Sequence, residues 1–266
     1  MSAETWDIEF DALIKRFGDR TVLNGISFRV ARGEIVFILG TSGTGKSVLL
    51  KTLTGLLRAD GGRVVVQGQD LTHLREEAYL DVRRKCGMVF QHPALFDSLS
   101  IEENVAFGLQ RHLGLTLQSA RPRVRECLQL VQLDYDELAE LLPAQISYGM
   151  QKRVSLARTL AVQPQILLFD EPTTGLDPVT TKQINRLILE LSRKLQTTSM
   201  VVSHDMGCAL EIADRIIVLD QGRIIEQGRV EDVKRSQVPL VRDFLAETLA
   251  GHAESASVTN TRGGAT

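Results

Sequence analysis

Residues 146–178 concentrate the chemistry of this chain: ISYGMQKR begins at Ile146, and a short helical run later the sequence reads ILLFDEPTTGLDP. Asp170 and Glu171 stand side by side at the end of an apolar run, Ile166–Phe169. Successive residues of an extended segment project differently, so the two carboxylates divide the work. Asp170 is expected to help hold Mg2+, and Glu171 to orient an attacking water or take its proton. Upstream, the Ser147-Tyr148-Gly149 turn suits the phosphate of a nucleotide held by another copy of the chain. Together they predict ATP hydrolysis in a dimer.

A phosphate cradle lies closer to the N-terminus. Gly40-Thr41-Ser42-Gly43-Thr44-Gly45-Lys46-Ser47 matches GxxxxGKS in full, and Val48 follows on the predicted helix. The glycines allow close approach to a triphosphate, and successive N–H groups at a helix N-terminus surround it with positive potential. Lys46 is expected to reach the β- and γ-phosphates and Ser47 to place its hydroxyl on Mg2+. His204 follows the apolar run Ser199–Val202, where an imidazole can link the γ-phosphate to Glu171. Gln91 ends another such run, Cys86–Phe90, and is expected to touch both Mg2+ and the attacking water.

These residues need strands and helices to position them. Ile8–Val30 alternates apolar and polar residues around Gly18-Asp19 and Asn24-Gly25, which predicts strands and a hairpin. Short strands are expected at Glu34–Leu39, Arg63–Gln67, Cys86–Phe90, Ile166–Phe169, Ser199–Val202, Ile216–Leu219 and between Gly222 and Gly228. Helices are expected from about Lys46, over Leu71–Lys85, over Val179–Leu195 and near Cys208–Ala213. From about Ser98 to Val162 the pattern is helical throughout, with Arg121-Pro122 suiting a helix start. Strands alternating with helices predict a largely parallel sheet, and the helical middle an inserted lobe.

Bulk properties bound the function. The 266 residues suit one large α/β domain with a subdomain. A formal charge of −2 supplies no overall basic field for nucleic acid, which is not an expected partner. Cys86, Cys127 and Cys208 are far apart and read as reduced thiols. No apolar run approaches the roughly 18 residues that span a bilayer, so service to a membrane is expected to run through a partner. MSAETWDIEF lacks the pattern of a secretory signal, and the polar tail over 251–266 reads as disordered.

In order and spacing, the motifs over about Ile8 to Gly228 resemble the nucleotide-binding subunit of ABC transporters. The resemblance makes Gly40–Ser47 the Walker A motif, Gln91 the Q-loop and Ser147–Gln151 the signature region. It makes Ile166–Asp170 Walker B, Glu171 the catalytic glutamate, Thr174–Asp177 the D-loop and His204 the H-loop. Phe17 falls where the family stacks a ring on adenine. The implied fold is α/β: a RecA-like P-loop NTPase core, an antiparallel β subdomain and an α-helical subdomain inserted at about 98–162. One such ABC ATPase domain is expected over 6–250. Two cassettes then face head to tail, with each ATP between one Walker A and the opposite Ser147 and Gly149; Asp177 belongs to the same nucleotide-binding set. The usual LSGGQ reads ISYGM here. Tyr148 in place of glycine either crowds the loop or points its ring away from the nucleotide.

Finer features resemble the ATPase of MCE-type (Mla) phospholipid transport systems: GKSVLLK, VFQHPALFDSLSIEENVAF, Met150, DEPTTGLDPVT and VPLVRDFL from Val238. That branch implies a homodimer on the cytoplasmic face of the inner membrane, bound to an integral permease. An MCE substrate-binding protein and a STAS-domain protein accompany it. A groove near Gln91 and Ala94–Ser100 is expected to receive a coupling helix, and Val238–Leu249 either binds a partner or packs on its own domain. Other ABC systems, for lipoprotein release or amino-acid import, and a regulatory cassette of the cell-division type are the alternatives.

Overall fold

The computed structural model describes residues 5–248. It opens with a hairpin of β1 (Trp6–Phe17) and β2 (Arg20–Ala31), turned at Gly18-Asp19. The second expected turn, Asn24-Gly25, is instead a bulge inside β2: Ile14 faces Asn24, Leu13 faces Ile26, and Gly25 is the extra residue with φ 75°. Glycine takes that left-handed conformation without strain, which is why this dipeptide serves a bulge as readily as a turn. β3 (Ile35–Leu39) leads into α1 (Lys46–Leu53), and then come β4 (Gly61–Val66) and β5 (Gln69–Asp70). α2 covers only Glu76–Lys85. Leu71, expected in that helix, is buried in the approach to it and accepts a hydrogen bond from the Tyr79 hydroxyl at 2.8 Å.

β6 (Cys86–Val89) stops one residue short of expectation, leaving Phe90 exposed. Helices follow: α3 (Ile101–Leu113), α4 (Leu117–Leu130), α5 (Tyr135–Leu138) and α6 (Tyr148–Ala161), with a single 3-10 turn before the last. Ser100 and Glu103 form a reciprocal capping box on α3, and Gly114 closes it with φ 66°. α4 starts at a Thr116 cap, so Pro122 does not open a helix. It sits inside one, where it removes the bond to the carbonyl of Gln118. Buried Ala120, Val124, Cys127 and Leu128 hold α4 in place despite that loss.

The chain then returns to the sheet through β7 (Ile166–Asp170), α7 (Pro178–Leu195), β8 (Thr198–Ser203), α8 (Met206–Ile212), β9 (Arg215–Asp220), β10 (Arg223–Arg229) and α9 (Val230–Val233). Residues 239–248 form a further helix that buries Val241 and lays Phe244 and Leu245 on the chain's own core, the second of the two roles open to this segment. The tail over 251–266 lies outside the described residues.

Two sheets result. One is antiparallel, in the order β2-β1-β4-β5. The other runs β10-β9-β3-β8-β7-β6, with only β10 antiparallel to its neighbour. Strands covered on both faces read as unbroken apolar runs, as IVFIL does in β3. Their side chains alternate between two cores. Ile35, Phe37 and Leu39 join Leu167 and Phe169 beneath the helices α3, α4, α6 and α7. Val36 and Ile38 join Ile166, Leu168, α1 and the antiparallel sheet on the other side. The parallel sheet is thus a rigid middle layer, and its strand ends are fixed points for a site. Among the described residues no helix is long and apolar enough to cross a membrane.

Candidate functional site

Strand order decides what meets here. β8, late in the chain, lies between β3 and β7. The segment after β3 (Gly40–Gly45), the end of β7 (Asp170-Glu171) and the end of β8 (Ser203-His204) therefore emerge side by side at the carboxyl edge of the sheet, where open α/β sheets bind ligands.

The loop Gly40–Gly45 is shaped for close approach. A Cβ on Gly40 would stand 2.5 Å from the Leu219 carbonyl oxygen and 2.7 Å from Thr44 Oγ1. Gly45 caps α1 at φ 101°, against Val22 and Leu23 of β2. Thr44 is buried and donates to the Thr41 carbonyl at 2.9 Å, while Thr41, Ser42 and Gly43 are exposed. Buried Lys46 folds back on the loop, its Nζ donating to the carbonyls of Gly40 (2.7 Å) and Thr41 (3.0 Å) and standing 3.5 Å from Glu171 Oε1. An ammonium wrapped in carbonyl oxygens at a helix N-terminus is poised to exchange them for phosphate oxygens. Val48 lies in the first turn of α1 and is partly exposed.

Ser47 Oγ donates to Asp170 Oδ1 at 2.7 Å. A hydroxyl and a carboxylate are hard oxygen donors of the kind that would hold a divalent cation and so neutralise phosphate charge. Next to them, Glu171 has φ 49°, an uncommon backbone for a residue with a Cβ, and its amide bonds the Val202 carbonyl. Its Oε2 meets His204 Nδ1 at 2.7 Å and Thr174 Oγ1 at 3.2 Å. Glu171 is thus aimed from three sides, by Lys46, His204 and Thr174. In the sequence Thr174 is only the first residue of the Thr174–Asp177 motif, because no local pattern marks a hydroxyl that folds back three residues.

Gln91 follows β6 at the same edge, exposed, and its bonds run through its main-chain carbonyl, which accepts from Lys152 Nζ and from Tyr148 Oη at 3.5 Å. Tyr148 is the first residue of α6 and does not need positive φ, so a side chain is admissible where the family has glycine. Its hydroxyl also meets His92 Nδ1 at 3.3 Å. Lys152, one turn on, is 3% exposed with its Nζ 5.6 Å from the Tyr148 ring centre. Burial draws its ammonium down to about 8, opposed by the Glu171 charge.

Ser147 and Gly149 do not meet the phosphate loop of their own chain. Ser147 caps α6, accepting from the Met150 amide at 3.3 Å, and is exposed. A Cβ on Gly149 would touch Thr180 at 3.0 Å, and one on Gly175 would lie 3.6 Å from the Tyr148 ring. These residues and the start of α7 form one edge. Asp177 is occupied there as the cap of α7; the Thr180 hydroxyl and the Thr180 and Val179 amides hold its carboxyl below the usual range. Phe17 ends β1, 47% exposed, with Lys15 Nζ 5.3 Å from its ring centre, so it is no core residue.

After Gln91 the chain is held by Asn104 of α3, fully buried. Its Nδ2 donates to the carbonyls of Phe96, Leu99 and Ser100, each at 3.0 Å, and its Oδ1 accepts from the Phe96 amide at 2.8 Å. Asn104→Leu strands these groups, and a urea melt should show a loss of about 2–4 kcal/mol. Phe96 and Phe107 pack with ring centres 4.5 Å apart, tilted by 42°, and are both exposed on this surface. The three thiols are buried and free; burial pushes Cys86 and Cys208 up to about 12 and Cys127 to about 11, which leaves them inert.

A sequence profile described as ABC transporter matches residues 23–174. The methionine import ATP-binding protein of Rhizobium johnstonii is 41% identical over 251 residues, 91% of this chain and 68% of that protein. The sulfate/thiosulfate import ATP-binding protein of Bordetella parapertussis is 43% identical over 92% of this chain and 69% of its own length. Among solved structures, cbiO1 from Clostridium perfringens, part of an ABC transporter complex, superposes with a TM-score of 0.80 at 29% identity, covering 95% of this chain and all of that one. A dimeric ATP-binding cassette in a post-hydrolysis state with ADP and phosphate gives a TM-score of 0.76 at 31% identity, over 84% of this chain and 98% of that one.

Proposed function

The chain belongs to the ABC transporter ATP-binding family, and from that premise we propose that it energises phospholipid transport across the bacterial cell envelope through a membrane permease, acting as a homodimer at the cytoplasmic face of the inner membrane. Its ATPase activity is a property of the family; the residue roles, Mg2+ and the lipid branch are this reading. The observation that carries the shared ATP site is the convergence of Lys46, the Ser47–Asp170 pair and the Glu171–His204 pair on one strand edge, with Ser147 and Gly149 at the start of α6, outside that cluster. Half of a triphosphate site lies on each face, and a second copy completes it.

Within that site Lys46 binds the β- and γ-phosphates, and Ser47 and Asp170 would hold Mg2+, which supplies charge neutralisation on the phosphates. Glu171 accepts the proton of the attacking water, with His204 fixing its carboxylate. Ser147 and the Gly149 amide close on the γ-phosphate held by the partner, and Phe17 stacks on adenine. Because each site needs both copies, closure is linked to ATP and reopening to its cleavage.

Met150 in the signature and the Ala94-Leu95-Phe96 segment support the phospholipid branch. The exposed Phe96–Phe107 pair supports a docking groove for a permease helix. The names of the two relatives, methionine and sulfate import, support a second reading, uptake of a small solute. Purification of the chain with its membrane partners separates them. A permease accompanied by an MCE-domain protein, with or without a STAS-domain protein, is the expected result. A permease accompanied by a soluble solute-binding protein would overturn the lipid reading. Phe96→Asp should lower the recovered permease at least ~10-fold by placing a charge at the contact, with ATP affinity as the control for folding.

A further inference from the structure

Two residues at the start of α6 contribute something that neither the phosphate loop nor the carboxylates explain. We propose that Lys152, seated beneath Tyr148, is a positioning residue for hydrolysis that ties the main chain at Gln91 to α6, so that Gln91 and the Ser147–Gly149 turn move as one unit. A buried ammonium is costly unless something holds it, and here its acceptor is the Gln91 carbonyl. The Tyr148 ring covers its other side at 5.6 Å, and the Tyr148 hydroxyl reaches both the same carbonyl and His92. The spacing of four residues puts Tyr148 and Lys152 on one helical face, so they grip the segment after β6 as a pair. That segment leaves β6 at the sheet edge that also carries this chain's own Glu171, while the cap of the same helix, Ser147, is the residue assigned above to the ATP of the other copy. The clamp therefore fixes the distance between a residue that serves one nucleotide and a turn that serves the other.

Lys152→Met tests this because the two explanations of a buried lysine predict opposite results. Replacing a buried ammonium by an apolar chain of similar volume is commonly neutral or stabilising, so a residue that only packs would lose nothing. The clamp predicts a melting temperature no lower than the parent's, a kcat about tenfold lower and a KM for ATP within about threefold. Lys152→Gln, which keeps a donor for the Gln91 carbonyl, should hold kcat within about threefold of the parent. A kcat for Lys152→Met within about twofold of the parent, or a raised KM with kcat unchanged, would overturn the proposal. So would a Lys152→Gln variant about tenfold slower than the parent, and because that arm is read against the parent it still decides if the methionine variant aggregates. The proposal rests on Gln91 serving hydrolysis. Gln91→Ala turning over like the parent strikes that assignment, whereas a slow Gln91→Ala beside a fast Lys152→Met strikes the clamp alone.

Discussion

Glu171→Gln lowers ATP turnover by at least ~100-fold while nucleotide stays bound, and the chain accumulates as an ATP-loaded dimer on a sizing column. The side chain keeps its length and shape, so the positive φ of 49° is no harder to adopt than before. The amide oxygen can still accept from one neighbour, but the group no longer takes a proton. Lys46, 3.5 Å away, and His204, 2.7 Å away, lose a formal charge between them. Loss of that charge draws Lys46 less strongly from the phosphates, so affinity for ATP is retained or raised. Binding without cleavage leaves the faces of two copies closed. A variant that turns over ATP like the parent would remove Glu171 from its assigned role, and one that stays monomeric with ATP bound would remove the shared site.

The phosphate loop and the carboxylate pair were legible in the sequence because both are local: glycines at fixed spacing, or an apolar run ending in acid. The α/β class with a parallel sheet was legible for the same reason, through runs such as Ile35–Leu39 and Ile166–Asp170. Strand order was not. That β8 separates β3 from β7, and so delivers His204 beside Glu171, depends on pairings such as Leu39 with Ser203 across more than half the chain. Local signals also mislead where two structures share one cue. Asn24-Gly25 carries the strongest short hairpin signal, yet it forms a bulge, because the register with Leu13 and Ile14 leaves one residue over. Arg121-Pro122 suits a helix start, but the Thr116 cap upstream and the apolar face over Ala120–Leu128 keep α4 continuous through it. Whether Tyr148 crowds its loop or turns its ring away is decided in part by tertiary structure: Gln91 and His92, in the segment after β6, receive its hydroxyl, and Lys152 of the same helix meets its ring.

Lys46→Ala is expected to weaken ATP binding by at least ~100-fold, read by calorimetric titration, and to abolish turnover. The ammonium is nearly enclosed and makes its contacts with Gly40, Thr41 and Glu171 rather than with solvent. Those oxygens prepare the position that the β- and γ-phosphates take, so removing the charge leaves two loop carbonyls and a carboxylate facing an incoming triphosphate. Repulsion then replaces attraction, which is why the expected loss exceeds that of an exposed lysine, where a contact of this kind is worth under ~1 kcal/mol. The Ser47–Asp170 contact is built from neighbouring residues on separate elements, α1 and β7, and persists without Lys46. The alanine variant therefore separates two contributions. If ATP affinity falls less than ~10-fold, backbone amides and the cation site hold the phosphates on their own, and Lys46 acts only on the transferred group.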